Sequence, residues 1–243
     1  MTTTPRHIVG LSGGKDSTAM ALALVEREPR PYEFLCTPTG NELREMHAHW
    51  ANLEQRLGRP LIRLNDSPQD SLLNLIAQMR MLPNFRARWC TRILKIEPTI
   101  EFMQSLPLGS TLYVGLRADE EERTGIFGEE LLIDFPLRRW GMNEADVWRF
   151  LSERGVKIPV RTDCMFCYGQ RLGEWYALWK KRPDLYSIGE GLEVSLGHTF
   201  RSPQRDTWPA PLAELRAVFE SGRVPRGAEA AMRGEGACRV CRL

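Results

Sequence analysis

Short apolar runs alternate with longer amphipathic segments through the first part of the chain. The runs are short and β-like, as expected of buried strands. We predict strands at residues 7–11, 33–36, 61–64, 111–115 and 130–134. Each run is so short that its pattern also fits a buried helix segment, so the order of the segments decides the assignment.

The longer segments between the runs place apolar residues at helical spacing. Leu43, Met46, Trp50 and Leu53 show this most clearly. Predicted helices cover residues 15–27, 41–57, 70–80, 143–154 and 171–182, with Asn143 as the N-cap of the fourth. Strands separated by helices of this length need parallel crossover connections. The pattern therefore predicts a doubly wound, mostly parallel α/β sheet.

The character of the sequence changes after about residue 157. A cysteine pair is followed by a Trp-rich helix and then by Pro- and Arg-rich sequence. We therefore divide the chain into an α/β domain, residues 1–157, and a C-terminal cysteine-containing extension of helix and tail, residues 158–243, packed on it. The last twenty or so residues have few large apolar groups and would be disordered on their own. Trp175, Tyr176 and Trp179 are expected to pack against the domain rather than to stack on bases.

Composition limits the classes of protein that this chain can represent. A hydrophobic content of 42% over 243 residues supports a sizeable core, and the net charge of +2 favours neither a nucleic-acid-coating nor a strongly acidic protein. No apolar run approaches the roughly 20 residues that span a bilayer, and the N-terminus lacks the apolar core of a signal peptide. We expect a cytoplasmic protein with no membrane partner. Six cysteines in that compartment favour metal ligands or redox groups over disulfides.

The stretch LSGGKDS, residues 11–17, joins the first predicted strand to the first helix. Gly13 and Gly14 allow close backbone approach and positive φ, and the helix that begins near Lys15 offers free N–H groups and a positive dipole end. Ser12 and Ser17 add hydroxyl donors. In an open parallel sheet this turn is the usual place for a phosphate.

The stretch does not match the common P-loop pattern G-x-x-x-x-G-K-[ST]. Asp16 follows Lys15, and Val9 stands where the first glycine belongs. An acidic residue in the cradle would repel a terminal phosphate unless it turns away or works through Mg²⁺. The loop is therefore expected to hold its phosphate differently from an NTPase that cleaves a γ-phosphate.

S-G-G-x-D-S directly after a first strand resembles the PP-loop of ATP pyrophosphatases, also called adenine nucleotide α-hydrolases. The resemblance implies a Rossmann-like fold in which the loop holds the pyrophosphate end of ATP while a nucleophile attacks the α-phosphate. It also implies Mg²⁺ as a cofactor, assisted by an acidic residue such as Asp119. Catalytic roles would fall to Lys15, Asp16 and Arg117.

Three further segments narrow the resemblance: TGNE (residues 39–42), WCTRILKIEP (89–98) and VGLRADEEERTG (114–125). Together with the loop they resemble the phosphoadenosine phosphosulfate (PAPS) reductase family over roughly residues 7–180. The resemblance implies that Thr39 and Gly40 lie near the nucleoside. The other nucleotide contacts that it implies are Gly115, Arg117, Arg123, Arg92 and Lys95. Solvated surface is the alternative for some of these cations, because Arg is abundant in this chain.

The chain departs from the sulfonucleotide reductases of that family in two places. Those enzymes generally have a degenerate loop and a Glu-Cys-Gly-x-His tail, whereas this loop is intact and the tail reads GACRVC at residues 236–241. We therefore predict an enzyme that adenylates an acceptor with ATP and supports iron–sulfur-dependent sulfur transfer. Reduction of adenylylsulfate or PAPS to sulfite is one alternative. A non-catalytic nucleotide-binding subunit of a nucleic-acid modification complex is the other.

Five cysteines are candidate metal ligands. Cys164 with Cys167, and Cys238 with Cys241, form two C-x-x-C pairs that could bind zinc, although their separation exceeds the usual zinc-ribbon spacing. Resemblance to adenylylsulfate reductases implies instead a 4Fe–4S cluster on Cys90, Cys164 and Cys167. The fourth ligand would be Cys238 or Cys241, or the fourth iron stays open to an exogenous sulfide. Alternatively, the cysteines are free redox thiols. The tail could either fold back to close the metal site or carry a mobile thiol nucleophile.

The remaining expectations concern partners and single side chains. The acceptor could be a tRNA base, a DNA backbone or a small metabolite, and a sulfur or electron donor protein and a homodimer are both conceivable. We expect Cys36 to be buried in the core and His47 and His49 to lie at the surface. The acidic residues 120–122 are expected to form a solvated face.

Overall fold

The computed structural model describes residues 4–84, 86–120, 122 and 131–233. Its strands are β1 (His7–Gly10), β2 (Tyr32–Cys36), β3 (Leu61–Arg63), β4 (Thr111–Tyr113) and β5 (Ile133–Asp134). Its helices are α1 (Lys15–Arg27), α2 (Arg44–Leu57), α3 (Leu72–Met79), α4 (Trp89–Thr91), α5 (Glu97–Gln104), α6 (Pro136–Arg139), α7 (Glu144–Glu153), α8 (Leu172–Lys181), α9 (Pro183–Leu196), α10 (Leu212–Glu220) and α11 (Ala228–Arg233). Each of the five predicted strands is confirmed, as is each of the five predicted helices.

The five strands form one parallel sheet in the order β3-β2-β1-β4-β5. Val9 in the central strand pairs with Phe34 on one side and with Tyr113 on the other. The chain winds outward from β1 to β3 and then returns to the opposite side of β1. The predicted doubly wound α/β sheet is thus confirmed, and the crevice between the carboxyl ends of β1 and β4 is its topological switch point.

Adjacent strand residues face opposite sides of the sheet and therefore enter different cores. Val9 and Phe34 belong to a cluster that includes the buried residues of α1, α2 and α7. Ile8 and Leu35 belong to a smaller cluster with Met103 of α5. The sheet is covered on both faces, which explains why its strands are apolar almost throughout rather than alternating.

A third cluster is built mainly from the region after residue 160. It surrounds Phe166, Trp175 and Tyr186 and also takes in Leu72 and Leu94 from the first half of the chain. Trp175 is 1% exposed, so the Trp-rich helix packs inward as expected. The two parts into which the sequence divides therefore share this core.

Three helices of the C-terminal region, α9, α10 and α11, were not predicted. Two internal glycines and the Pro- and Arg-rich flanks weaken the local signal for α9, yet Tyr186 is buried and its hydroxyl donates to the Leu212 carbonyl oxygen at 2.9 Å. The first part of the expected tail contains α11, Ala228–Arg233, packed against α8, and residues 234–243 lie outside the described residues. A Cβ on Gly173 of α8 would lie 2.7 Å from the Gly227 carbonyl carbon, so only glycine permits this approach.

The segment from α4 to α5 is one continuous helix with a wide π turn at Arg92–Ile96. Asn65 Nδ2 donates to the Leu94 carbonyl oxygen at 2.5 Å, and Thr99 Oγ1 donates to that of Lys95 at 2.7 Å. These two side chains thus donate hydrogen bonds to carbonyl oxygens that the widened turn leaves exposed. Among the described helices, none is both long and apolar enough to cross a membrane.

Candidate functional site

The loop between β1 and α1 is held from outside by α2. Gly13 has φ +85°, and a Cβ there would lie 2.2 Å from Met46 Cε. Trp50 Nε1 donates to the Ser12 carbonyl oxygen at 3.2 Å, and the Ser12 and Ser17 hydroxyl oxygens lie 3.0 Å apart. The N–H groups of the first turn of α1 have no intrahelical acceptor. The loop is therefore shaped as an anion cradle, as its sequence predicts.

Charged side chains converge on the start of α1. Lys15 Nζ lies 2.9 Å from Asp16 Oδ2 and 3.4 Å from Glu144 Oε1, at the first position of α7. Arg117 Nη1 donates to Asp16 Oδ2 at 2.9 Å, and Arg117 Nε donates to Asp119 Oδ1 at 2.8 Å. The structure thus brings together Lys15, Asp16 and Arg117, the three side chains to which we assign catalytic roles from the sequence.

Arg117 is the buried centre of this network, with a side chain only 3% exposed. Burial alone would lower its pKa, but the bonds to Asp119 and the charges of Asp16 and Glu120 hold the pKa above its ordinary value. The bond from Arg117 in turn lowers the pKa of Asp119. Glu120 lies beside Arg117 and is largely buried, which corrects the expected solvated face, whereas Glu122 is exposed.

The turn after β4 closes on the first loop. A Cβ on Gly115 would lie 3.0 Å from the Ser17 nitrogen and 3.1 Å from the Asp16 carbonyl carbon, which is tighter than a side chain ordinarily allows. The missing side chain lets the two turns of the switch point touch. Arg123, a further predicted contact from this segment, lies outside the described residues.

Thr39 and Gly40 form a tight turn after β2. The Thr39 nitrogen and hydroxyl both donate to Glu42 Oε1 at 2.7 Å. Gly40 has φ +70°, and a Cβ there would lie 2.8 Å from Ser71 Cβ. The Leu72 nitrogen donates to the Thr39 carbonyl oxygen at 2.8 Å, so this turn also anchors the start of α3.

Cys90, Cys164 and Cys167 line one small cavity, of about 20 Å³, together with Thr39 and Lys95. Two chain segments that are distant in sequence meet there. Glu42 forms an antiparallel bridge with Cys164, and the Met165 nitrogen donates to the Asn41 carbonyl oxygen at 2.8 Å. The turn after β2 thus joins the carboxyl edge of the sheet to the cysteine loop, residues 164–167.

The surroundings of Cys90 and Cys167 favour the neutral form of both thiols. Burial and the neighbouring Cys164 raise the pKa of Cys90 to about 11. Contact with Cys164, followed by burial, raises the pKa of Cys167. Three thiols at one cavity are the donor set that iron–sulfur clusters use. Within the described ranges no three His, Cys, Asp or Glu side chains could hold a single metal ion, and Cys238 and Cys241 lie outside those ranges.

Other side chains differ from what the sequence suggests. Arg92 is 60% exposed and pairs with Glu97 of its own helix. His49 is buried beside Gly13 rather than at the surface, and burial lowers its pKa. His47 is exposed, and Cys36 is a core residue as expected.

Sequence reasoning missed the supporting roles of Trp50 and Glu144. Both sit in helices that were predicted, but only the folded chain shows which of their side chains reach the loop. Thr162 was missed as well: its hydroxyl oxygen lies 3.7 Å from the position that a Cβ on Gly14 would take.

The sheet, its switch point and the loop at residues 11–17 define a protein of the PP-loop, adenine nucleotide α-hydrolase type. Residues 6–160 match the phosphoadenosine phosphosulfate reductase domain, so the chain belongs to that family. An uncharacterized protein of Methanocaldococcus jannaschii is 22% identical over 203 residues, which cover 76% of this chain. The match covers 41% of that relative, so the chain spans about two-fifths of its length.

Solved structures are similar to this chain at low sequence identity. The PAPS reductase of Candida auris, in a phosphate complex, is 13% identical with a TM-score of 0.50, covering 64% of this chain and 76% of its own. The U34-tRNA thiolase NcsA of Methanococcus maripaludis, with its 4Fe–4S cluster, is 18% identical with a TM-score of 0.48, covering 86% and 78%. The NMN synthetase of Francisella tularensis is 17% identical with a TM-score of 0.45, covering 94% and 82%. The chain shares its fold with the PAPS reductase.

Proposed function

We propose that the chain is an enzyme that cleaves ATP between its α- and β-phosphates, adenylates an acceptor and supports iron–sulfur-dependent sulfur transfer. One observation carries the proposal: Lys15 and Arg117 converge on Asp16 at the anion cradle of the switch point. Cations and free helix N–H groups at that position stabilise a bound polyphosphate and the charge that develops as pyrophosphate leaves.

The reaction consists of two substitutions. An oxygen of the acceptor attacks the α-phosphorus, the bond from that phosphorus to the bridging oxygen breaks, and pyrophosphate leaves. Sulfide from a donor then forms a bond to the activated carbon while AMP departs with the former acceptor oxygen. Lys15, Ser12 and Ser17 would bind the phosphates, and Mg²⁺ would neutralise part of their charge. Thr39 and Gly40 would lie beside the nucleoside.

Cys90, Cys164 and Cys167 would hold a 4Fe–4S cluster in this proposal. Such a cluster would supply iron-bound sulfur chemistry, and zinc or free thiols are the competing assignments. The α/β domain, residues 1–157, would bind the nucleotide, and the region 158–243 would complete the thiol cavity. Thr39 lines that cavity and also follows β2, so the two sites would be neighbours.

Product analysis tests the nucleotide chemistry. The chain, purified anaerobically, is incubated with ATP and Mg²⁺ and with candidate tRNA, DNA and small-molecule acceptors. AMP and pyrophosphate support the proposal, whereas ADP and phosphate contradict it. Lys15→Ala should lower AMP formation by about two orders of magnitude, as expected when a transition-state cation is removed. Lys157→Ala, which removes an exposed lysine four residues beyond the C-terminal end of α7, is the matched control.

Iron and acid-labile sulfide analysis tests the cluster. Cys90→Ser should lose at least half of the iron of the wild-type protein, because one of three proposed ligands is removed. Cys36→Ser is the control, since Cys36 is buried in β2 as part of the sheet core. A colourless, zinc-containing protein, or equal iron loss in both variants, would remove sulfur transfer from the proposal.

Sulfonucleotide reduction is the second candidate, and the match to the PAPS reductase domain favours it. A thiolate would then attack the sulfur of adenylylsulfate or PAPS while the nucleotide leaves, and a second thiol would displace sulfite from the thiosulfonate and form a disulfide. Sulfite release from either compound in the presence of a dithiol, without ATP, would support this candidate. Nucleotide binding without any of these products would leave a non-catalytic subunit of a nucleic-acid modification complex.

A further inference from the structure

The segment at residues 160–163, here called the strap, reaches the loop that follows β1. The hydroxyl oxygen of Thr162 lies 3.7 Å from the position that a Cβ on Gly14 would take. The Ser12 hydroxyl oxygen lies 3.6 Å from the same point. Gly14 is the N-cap of α1, so two hydroxyl groups from distant parts of the chain flank one point at the start of that helix.

The space beside Gly14 is open and lined by donors. Apart from the chain on either side of Gly14, the two hydroxyl oxygens are the only described atoms within 4 Å of that point. The hydroxyl rather than the methyl group of Thr162 therefore faces it. Gly14 supplies no side-chain cap, so the N–H groups of the first turn of α1 lack acceptors at the same place. An open space with hydroxyl and N–H donors suits an anion.

The hydroxyl group of Thr162 is not engaged elsewhere. Thr39, Thr99 and Thr199 each donate through Oγ1 to an oxygen atom of a nearby residue. The Thr162 hydroxyl has no such partner within the residues that the structure describes, and its side chain is half-buried. A donor that is partly withdrawn from water without a partner gains from a ligand that accepts its hydrogen bond.

The bonds of its neighbours fix the position of Thr162. Arg161, with a side chain 8% exposed, donates through Nε to Asp163 Oδ1 at 3.0 Å. Its Nη1 donates to Gln170 Oε1 at 3.0 Å, and its Nη2 donates to the Cys164 carbonyl oxygen at 2.8 Å. Arg161 thus neutralises Asp163 and holds the strap to the cysteine loop. A donor that is held in place before binding loses little conformational entropy when it meets a ligand.

We propose that Thr162 is a phosphate-binding residue, whose hydroxyl group donates a hydrogen bond to a phosphate group at the start of α1. The proposal rests on the proposed function in one respect, that the loop at residues 11–17 binds a phosphate. It requires neither a cluster nor an acceptor. The region 158–243 would then contribute directly to the phosphate site as well as to the thiol cavity.

Calorimetric titration of the full chain with inorganic pyrophosphate and Mg²⁺ tests the site. Thr162→Val keeps the size and β-branching of the side chain but removes the hydroxyl, and should weaken binding about tenfold, as expected for a lost hydrogen bond to a charged group. Thr162→Ser keeps the hydroxyl and should stay within about threefold of the wild type, because only a methyl group is lost. Unchanged affinity in Thr162→Val, or equal losses in both variants, would overturn the proposal.

Two further variants separate this proposal from the proposed function. Lys15→Ala removes a cation of the loop and should weaken pyrophosphate binding about tenfold or more. Thr4→Val removes an exposed hydroxyl before β1, at the opposite edge of the sheet, and should change the affinity less than about twofold. A loss in Lys15→Ala with none in Thr162→Val would overturn the role of Thr162 and leave the phosphate loop intact. No pyrophosphate binding by the wild-type chain would overturn both.

The α,β-methylene analogue of ATP identifies the part of the ligand that Thr162 contacts. This analogue keeps the phosphate chain and the nucleoside but cannot be cleaved between the α- and β-phosphates. Thr162→Val should weaken binding of the analogue and of pyrophosphate by the same factor, because the lost donor serves a phosphate group in both. A loss confined to the analogue would assign the hydroxyl to the nucleoside and overturn the proposal.

Discussion

Buried charge is stabilised in opposite ways in two regions. One is the phosphate loop, residues 11–17, and the other is the C-terminal core, which is the cluster around Phe166, Trp175 and Tyr186. At the loop, Asp16 and Asp119 are met by Lys15 and Arg117, and the pKa of Asp119 is lowered. In the C-terminal core, burial raises the pKa of Glu193 to about 7, although its oxygens accept from two backbone N–H groups. One region keeps its charges by pairing them, and the other keeps a carboxylate that can be neutral near physiological pH.

The difference follows from what each region must do. The polyphosphate site that we propose at the loop needs permanent cations, and carboxylates would hold those cations in place before a ligand arrives. The C-terminal core needs only acceptors for the Phe200 and Leu212 N–H groups, and an uncharged carboxyl can supply them. Substitutions should therefore have different signatures in the two regions.

The largest effect is expected from Arg117→Ala. Breaking a buried charge pair leaves unpaired carboxylates and typically costs roughly 3–5 kcal/mol, and we expect about 3 because Asp119 is 41% exposed. Urea denaturation measures the loss. Arg149→Ala is the control, since Arg149 forms an exposed pair with Asp146 and should cost less than about 0.5 kcal/mol. Similar losses in both variants would contradict the central role of Arg117.

The pH dependence of stability should have opposite signs in the two regions. The Glu193 carboxyl ionises near 4.5 in the unfolded chain and near 7 in the folded one, so the folded chain holds the extra proton between these values. Stability from this group is therefore lost as the pH rises through that window, by roughly 3 kcal/mol at most. Glu193→Gln should remove this loss, as seen in unfolding free energies measured from pH 4.5 to 7.5.

Asp119→Asn is the matched variant at the loop. Arg117 lowers the pKa of Asp119, so the contribution of this carboxylate is present above its unfolded pKa of 3.8 and is lost as the pH falls. The wild-type advantage over Asp119→Asn should shrink below about pH 4. If Glu193→Gln and Asp119→Asn changed the pH dependence of the unfolding free energy in the same direction, the contrast between the two regions would be contradicted.

The backbone of the loop gives a sharper test with two neighbouring glycines. Gly13→Ala places a side chain at positive φ and against Met46, and should cost about 2 kcal/mol or more. Gly14→Ala should cost less than about 1 kcal/mol, because φ is −69° and the nearest atoms lie 3.6 and 3.7 Å away. Thermal unfolding of both variants compares them. Equal losses would mean that α2 does not shape the loop.

The smallest expected effects come from helix caps in the two regions. Asn143→Ala removes a reciprocal capping box with Asp146 at the start of α7 and should cost about 1 kcal/mol. Ser71→Ala removes a single cap bond of 3.3 Å at the start of α3 and should cost about half of that. Guanidinium denaturation resolves the difference. A larger loss for Ser71→Ala would contradict our expectation that the capping box of α7 is the stronger cap, which holds Glu144 near Lys15.

The sheet was predictable because its signals are local. Each strand is a largely apolar run, α1 is an apolar helix buried along most of its length, and α2 and α7 are amphipathic helices. Hydrophobic periodicity and the order of the segments were therefore enough to predict the sheet. The anion cradle was predictable for a related reason. Seven consecutive residues hold its glycines, hydroxyls and lysine, and the strand before them places the turn at the sheet edge.

What was missed depends on contacts between distant segments. Glu144 reaches Lys15 only because α7 packs on α1, and nothing in the sequence around residue 144 indicates this. His49 lies three residues after Met46 and four before Leu53, so helical spacing already places it on the buried face of α2, and the expectation of a surface residue was wrong. α9 forms although glycines interrupt it, because the burial of Tyr186 outweighs its low helix propensity.

The bridge between Glu42 and Cys164 sets the order in which the molecule can be completed during synthesis. All five strands and the phosphate loop precede residue 135, so the sheet can assemble while the cysteine loop is still unmade. The thiol cavity requires the late segment to return to a turn that was made much earlier. The thiol cavity can therefore close only after the strands of the sheet have been synthesised.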